Sequence, residues 1–297
     1  MFFVVPIMGC KVASCNTPRM NIKLGGPIKD FGLDPDRWVG EARSLGYTAC
    51  YAPVNHEHSD DVAAAFARAA AKAGIVIAES GAWSNPIDPD SEKASKAISY
   101  CQQQLACAEE LGARCCVNIA GSRNPEKWDG PHPENFSRET FDLIVESVRK
   151  IIDAVNPERT RYALETMPWI FPSSPDEYLD LLKAIDRPGF AVHLDPVNMI
   201  NSPARAYNNG AFIRECFEKL GPWIRSCHAK DIILQPHLTV HLDECRPGTG
   251  ILDYATFLSC ASGLGSDVPV MLEHLPYEEY PPALAYLRGK LQELNLA

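Results

Sequence analysis

The chain has 297 residues, 46% hydrophobic and 22% charged, with a formal net charge of −10. That balance belongs to a globular protein, and no apolar run nears the ~20 residues of a membrane span. The acidic excess and the absence of a basic cluster argue against a nucleic-acid partner, whose phosphates are held by Lys and Arg.

The 11 cysteines are scattered and form no CxxC pair, which points to reduced, buried thiols in a cytoplasmic protein rather than a disulfide frame or a zinc ribbon. Residues 1–19 read as an N-terminal arm. Its apolar opening ends at Cys10 but lacks the basic segment of a secretory signal, and Pro6 cuts the apolar run short. The spacing then predicts a strand over 20–25 and a helix over 34–45, opened by Asp34 with proline in the first turn and stopped at Gly46. A strand over 47–52, an alanine-rich helix over 59–73, a stop at Gly74 and a strand over 75–79 repeat the unit.

The helix expected over 91–111 ends at Gly112 before a strand at 113–120, and the helix at 137–155 closes before Asn156 and Pro157. The strand at 162–165 precedes a helix at 174–185, the strand at 190–195 precedes a helix at 209–220 with Gly221 as its stop, and a strand occupies 224–228. A helix over 253–263, a strand over 268–273 and a helix over 278–294 complete the chain. Strict alternation of eight strands with eight helices predicts an α/β chain folded as a single-domain (β/α)8 TIM barrel over 20–297. The loops after strands, at 80–90, 121–136, 167–174, 196–208 and 229–252, are the long ones, so the functional face lies at the C-terminal ends of the strands.

Four of those strands finish on a residue able to bind a metal: Glu165, Asp195, His228 and Glu273. Side chains alternate along a barrel strand, which turns Glu165 and Ala163 inward with Glu273 and Met271, and Leu164, Val270 and Leu272 outward. Three converging carboxylates repel one another unless a cation or proton lies among them. An imidazole beside them favours a cation, and an oxygen-rich set with one histidine suits Mn2+, Mg2+ or Co2+ better than a structural zinc, with Zn2+ still a candidate.

Around this quartet, His193 has inward parity one layer below Asp195, either as a hydrogen bonder to the ligands or as a core histidine. Lys230 shares the parity of His228 and faces either the site or its neighbour Asp231. His56 and His58 follow the second strand, Trp83 and Trp169 lie in loops where an indole can stack on a sugar or pack on the rim, and Asn118 either meets substrate or caps a turn.

The segments Leu164-Glu165-Thr-Met-Pro-Trp169, His193-Leu-Asp195-Pro-Val-Asn198, His228-Ala-Lys-Asp231, Arg246-Pro-Gly-Thr-Gly250 and Leu272-Glu273-His274, in this order at strand ends, resemble the xylose-isomerase-like barrel superfamily in its sugar phosphate isomerase and epimerase branch. The resemblance implies that Glu165, Asp195, His228 and Glu273 bind one divalent metal, Mn2+ first. It further implies that Glu165 and Glu273 exchange a proton on opposite faces of an ene-diolate of a small carbohydrate. It also implies that Arg246 contacts substrate oxygens and that Lys230 holds an oxyanion, as in inosose-handling relatives. Asn198 stands where the ketose 3-epimerases carry a substrate-contacting histidine, so the substrate is not carried over. Barrels of the superfamily often pair, which extends the expectation to a homo-oligomer.

A lyase on the same site, as in inosose dehydration or cleavage of a 3-keto glycoside, shares the first proton abstraction and is the alternative. The DNA-repair enzyme endonuclease IV is a remoter relative, since its extra histidines are replaced here by Asn198 and the stretch 117–120. A non-catalytic barrel is the remaining alternative.

Overall fold

The computed structural model describes residues 22–264 and 267–296, so the N-terminal arm expected over 1–19 lies outside the described residues. All eight expected strands form. They are β1 (Lys23–Gly26), β2 (Ala49–Tyr51), β3 (Val76–Gly81), β4 (Cys115–Asn118), β5 (Tyr162–Glu165), β6 (Phe190–Leu194) and β7 (Ile224–Ala229), then, after an added hairpin of β8 (Asp231–Gln235) and β9 (His241–Cys245), β10 (Pro269–Leu272). The eight pair in parallel into a closed barrel in the order β1-β10-β7-β6-β5-β4-β3-β2, and the hairpin stands apart as a two-stranded antiparallel sheet.

The helices follow the expected boundaries closely: α1 (Pro35–Leu45), α2 (Asp60–Ala73), α3 (Ser91–Leu111), α4 (Arg138–Val155), α5 (Pro175–Ile185), a short additional α6 (Pro203–Tyr207), α7 (Asn209–Leu220), α8 (Tyr254–Ser262) and α9 (Tyr280–Glu293). Asp34 caps α1 by accepting from the backbone N–H groups of Asp36 and Arg37, and Gly46, Gly74 and Gly112 end their helices in the left-handed conformation. Gly221 does not: its φ is −41°, and the chain runs on through a single 3-10 turn, Gly221–Trp223, into β7.

The alternation of side chains comes out as expected. Leu164, Val270 and Leu272 join the large core shared with the helices, whereas Ala163 packs with Cys115 and Val117, and Met271 with Ala49 and Ala78. Small residues let the barrel close, and at Gly25 any Cβ would run into the carbonyl of Ala49. The buried hydroxyl of Tyr178 on α5 ties two strands, lying 2.6 Å from Leu164 O and 3.0 Å from Ala191 O. All nine cysteines among the described residues are free, and seven are buried. No described helix is long and apolar enough to cross a membrane.

The loop expected over 229–252 contains the hairpin. Asp231 organises it: its carboxylate accepts the backbone N–H groups of Ile232, Gly248, Gly250 and Leu252 at 2.9–3.0 Å. The segment thus leaves and rejoins the barrel at one buried carboxylate.

Candidate metal centre and adjoining cleft

Glu165 ends β5, Asp195 follows β6, His228 lies within β7 and Glu273 follows β10. One ligand atom from each lies within 4.8 Å of every other. Donor atoms bound to one ion at ~2.0–2.2 Å stand at such separations. His228 Nδ1 lies 2.8 Å from Glu273 Oε1, 3.2 Å from Glu165 Oε1 and 3.8 Å from Asp195 Oδ2. Asp195 Oδ2 and Glu273 Oε1 are buried without a well-formed hydrogen bond. Buried carboxylate oxygens converging beside an imidazole nitrogen are the donor set of a divalent cation, so the residues fit the metal.

Lys230 is fully buried and inserted among these acids. Its Nζ lies 2.8 Å from Asp195 Oδ2, 2.6 Å from Glu273 Oε1, 3.7 Å from Glu165 Oε1 and 3.6 Å from Glu244 Oε2. It does not pair with Asp231, whose carboxylate is taken by backbone donors. Burial works against the ammonium, yet Asp195, Glu165 and Glu273 together hold its pKa above the ordinary lysine range.

The same contest of burial and neighbouring charge sets the other groups. Burial, with Glu273, raises the carboxyl of Glu165, against the pull of His228. For Glu273 the cations win over burial, and His228 and Lys230 bring it down to about 2. Asp195 is likewise held low by Lys230 and His228 against burial. His228 is raised well above the usual imidazole value by Glu273, Glu79 and Glu165, although burial opposes its charge.

Asn198 touches the quartet, donating from Nδ2 to Glu165 Oε1 at 3.0 Å with Oδ1 toward Lys230 at 3.4 Å. Arg246 instead pairs with Glu279 on the rim, its Nε 2.5 Å from Oε2. The structure does not bring three other candidates to the quartet. Asn118 is wholly buried and spends its amide on Ser84 N–H, Tyr162 Oη and Cys101 Sγ. Trp169 donates Nε1–H to Asp129 O, stitching two loops together. His56 is held against α3, where its backbone N–H and ring Nδ1 both meet Gln104 Oε1.

Trp83 does line a cleft of about 470 Å3, together with Tyr51, Asn55, His58, Tyr100 and Gln104, and Glu79 is part of its wall. Tyr51 joins the cleft to the quartet, since its hydroxyl donates to the carbonyl of Leu272, the residue before Glu273.

Sequence reasoning missed two acids. Glu79 is 2% exposed on β3 and its Oε2 lies 3.3 Å from His228 Nε2. Glu244 on β9 bridges Lys230 and His274, 3.2 Å from the latter's Nδ1. Glu79 carried the signal of the other ligands, a carboxylate at the end of an expected strand. His193 proves to belong to this group rather than to the apolar core: it is fully buried, both ring nitrogens lack a hydrogen-bond partner, and Nδ1 lies 3.5 Å from Glu79 Oε2. Burial and the neighbouring His228 lower its pKa to about 4, so it is neutral.

The profile of the xylose isomerase-like TIM barrel family matches residues 39–290. The chain belongs to this family. Solved xylose isomerase-like structures similar to it include the xylose isomerase domain protein of Planctomyces limnophilus, 19% identical, covering 94% of this chain and 100% of that one with a TM-score of 0.67. A Mycobacterium smegmatis barrel protein solved in complex with magnesium is 17% identical over 93% and 98% of the two chains, TM-score 0.65. An L-ribulose 3-epimerase is 16% identical over 92% and 96%, TM-score 0.67. A protein from Bacillus anthracis described as the probable 3-DHS dehydratase and an endonuclease IV from Thermus thermophilus also match, at 16% and 15% identity. At these identities the likeness is one of fold, and the matched xylose isomerase-like barrels span several chemistries. No curated protein matches the chain significantly.

Proposed function

We propose that the protein is a divalent-metal-dependent epimerase or isomerase of a ketose or keto-sugar derivative. The observation that carries this reading is the convergence of Glu165, Asp195, His228 and Glu273 within 4.8 Å where the long loops gather. A divalent ion held there, Mn2+ first with Mg2+, Co2+ or Zn2+ as alternatives, supplies Lewis-acid polarisation of a substrate carbonyl and so acidifies the neighbouring C–H.

The chain's own part is proton transfer and orientation. Glu165 and Glu273 come from strands on either side of the adjacent β6 and β7, so their carboxylates approach the same space from two directions. One, as carboxylate, takes the proton from the substrate carbon and the other, already protonated, delivers its own proton to the opposite face, which inverts the centre and leaves the two with their protonation states exchanged. Asn198 fixes one oxygen of Glu165, and the Lys230 ammonium is the donor placed to neutralise oxyanion charge. Tyr51, Trp83 and Tyr100 offer apolar faces, and Asn55, His58 and Gln104 hydrogen-bonding groups, to the rest of a carbohydrate. Trp169, Asn118 and His56 take no part, and Arg246 joins only by leaving Glu279.

A lyase reading is favoured by the size of the cleft, about 470 Å3, which has room for a leaving portion such as the second ring of a keto glycoside. The deciding experiment incubates Mn2+-loaded protein with ketoses, inososes and 3-keto glycosides in D2O. Deuterium incorporated at carbon without loss of a group supports epimerisation, and release of a group moves the assignment to the lyase. Absence of exchange across the whole panel refutes both.

A further inference from the structure

Beside the quartet, and sharing His228 with it, lies a second polar cluster whose Glu79 and His193 the proton-transfer scheme does not use. Glu79, His193 and His228 are buried in the barrel interior, and one ligand atom from each also falls within 4.8 Å of the others. Glu79 Oε1 accepts from Ser226 Oγ at 3.2 Å, which fixes the carboxylate. Its Oε2 has no well-formed hydrogen bond and faces His228 Nε2 at 3.3 Å and His193 Nδ1 at 3.5 Å. The two imidazoles meet edge to face at 4.0 Å. His228 thus has a different environment at each nitrogen, three carboxylates at Nδ1 and Glu79 at Nε2.

A neutral imidazole has one lone-pair nitrogen and one N–H. If Nδ1 ligates the metal, the proton must sit on Nε2, and a buried N–H without an acceptor is unfavourable. We infer that Glu79 is the positioning residue of the metal centre. It accepts the Nε2–H of His228, which locks the tautomer and the ring plane so that the Nδ1 lone pair faces Glu165, Asp195 and Glu273. Ser226 holds the other oxygen of Glu79 in turn. A cation bound instead at Glu79, His193 and His228 would require His228 to surrender both protons while serving the quartet, which sets that arrangement below the hydrogen bond.

The inference rests on the quartet binding a metal, and the test separates the two. Metal-stripped wild-type protein and the Glu79→Gln and Glu79→Ala variants are titrated with Mn2+ by calorimetry. Their zinc-loaded forms are then compared by 15N NMR after labelling the 8 histidines. The expected result is one metal per chain in all three, with affinity about 10–100-fold weaker in Glu79→Ala, the range for an outer partner of a metal-bound histidine. Glu79→Gln, isosteric and still able to accept, should recover part of that loss and gives the readout if the alanine variant fails to fold. His228 should show a protonated Nε2 and a metal-bound Nδ1 in the wild type, with the Nε2 proton exchanging faster in the variants.

Equal affinities in folded variants, or metal on Nε2, would overturn the inference while leaving the metal centre intact. Two metals per chain, one of them lost with Glu79, would replace it with a second site. No metal uptake by the wild type would overturn both readings.

Discussion

Lys230→Met tests how the acids are kept together without a metal. The side chain is 1% exposed, and Nζ lies 2.8 Å from Asp195 and 2.6 Å from Glu273. Methionine occupies similar space, so the change removes charge with little change in packing. Breaking a buried ion pair from one side costs about 3–5 kcal/mol. For a chain of this size that lowers the melting temperature of the stripped protein by roughly 5–8 °C. With metal bound the carboxylates have another cation, and the loss should shrink to about 1 kcal/mol. By linkage the difference of ~2–4 kcal/mol appears as metal binding tightened about 30- to 1000-fold. Thermal melts of stripped and Mn2+-loaded protein, with calorimetric titration, measure both quantities. An equal loss of melting temperature with and without metal, or weaker metal binding in the variant, would refute the reasoning.

Glu165→Gln and Glu273→Gln are each expected to lower turnover by about 10^2–10^4-fold with the barrel still folded by circular dichroism, and wild-type rates in both would sink the two-base scheme. Because His228 is raised well above the ordinary imidazole value, metal uptake near pH 7 should release a proton, detectable by calorimetry in buffers of different ionisation heat; buffer-independent heats would contradict this. The sign for the stripped protein follows: stability from that imidazolium is complete below the unfolded value of 6.5 and fades as pH rises through the folded one. On the acid side, the contribution of Glu273 is complete above 4.5 and lost as pH falls toward about 2, which a pH series of urea midpoints would reveal. Asp231→Ala strips the acceptor from four backbone N–H groups and should cost about 2–4 kcal/mol in urea unfolding, whereas a change under ~1 kcal/mol would mean that the loop holds itself.

The barrel was legible because each unit carries its own punctuation: Asp34 capping a helix, and Gly46, Gly74 and Gly112 turning out of one with positive φ. The convergence of the candidate quartet was legible because the strand ends coincide with acids and an imidazole of inward parity. What escaped depends on partners distant in the chain. Asn118 bonds Ser84 at a separation of 34 residues, Trp169 reaches Asp129 at 40, and His56 finds Gln104 at 48, and each contact is made by the closed fold rather than by a local pattern. Glu79 ended its expected strand just as the other ligands did, but β3 runs on to Gly81, so the acid lies inside the barrel beside His228 Nε2 instead of at the rim with the quartet. Parity turned Lys230 inward but did not reveal which oxygens its ammonium would reach.

The β8–β9 hairpin separates the durability of the scaffold from the chemistry of its mouth. Both strands are anchored through Asp231 at their base, yet the far strand delivers Glu244 to the buried ammonium. Exchanging the segment above that anchor for one of another length or charge would redraw the entrance while the eight parallel strands kept their register. Diversity of substrate can therefore arise in this barrel by grafting a ribbon, with its interior left untouched.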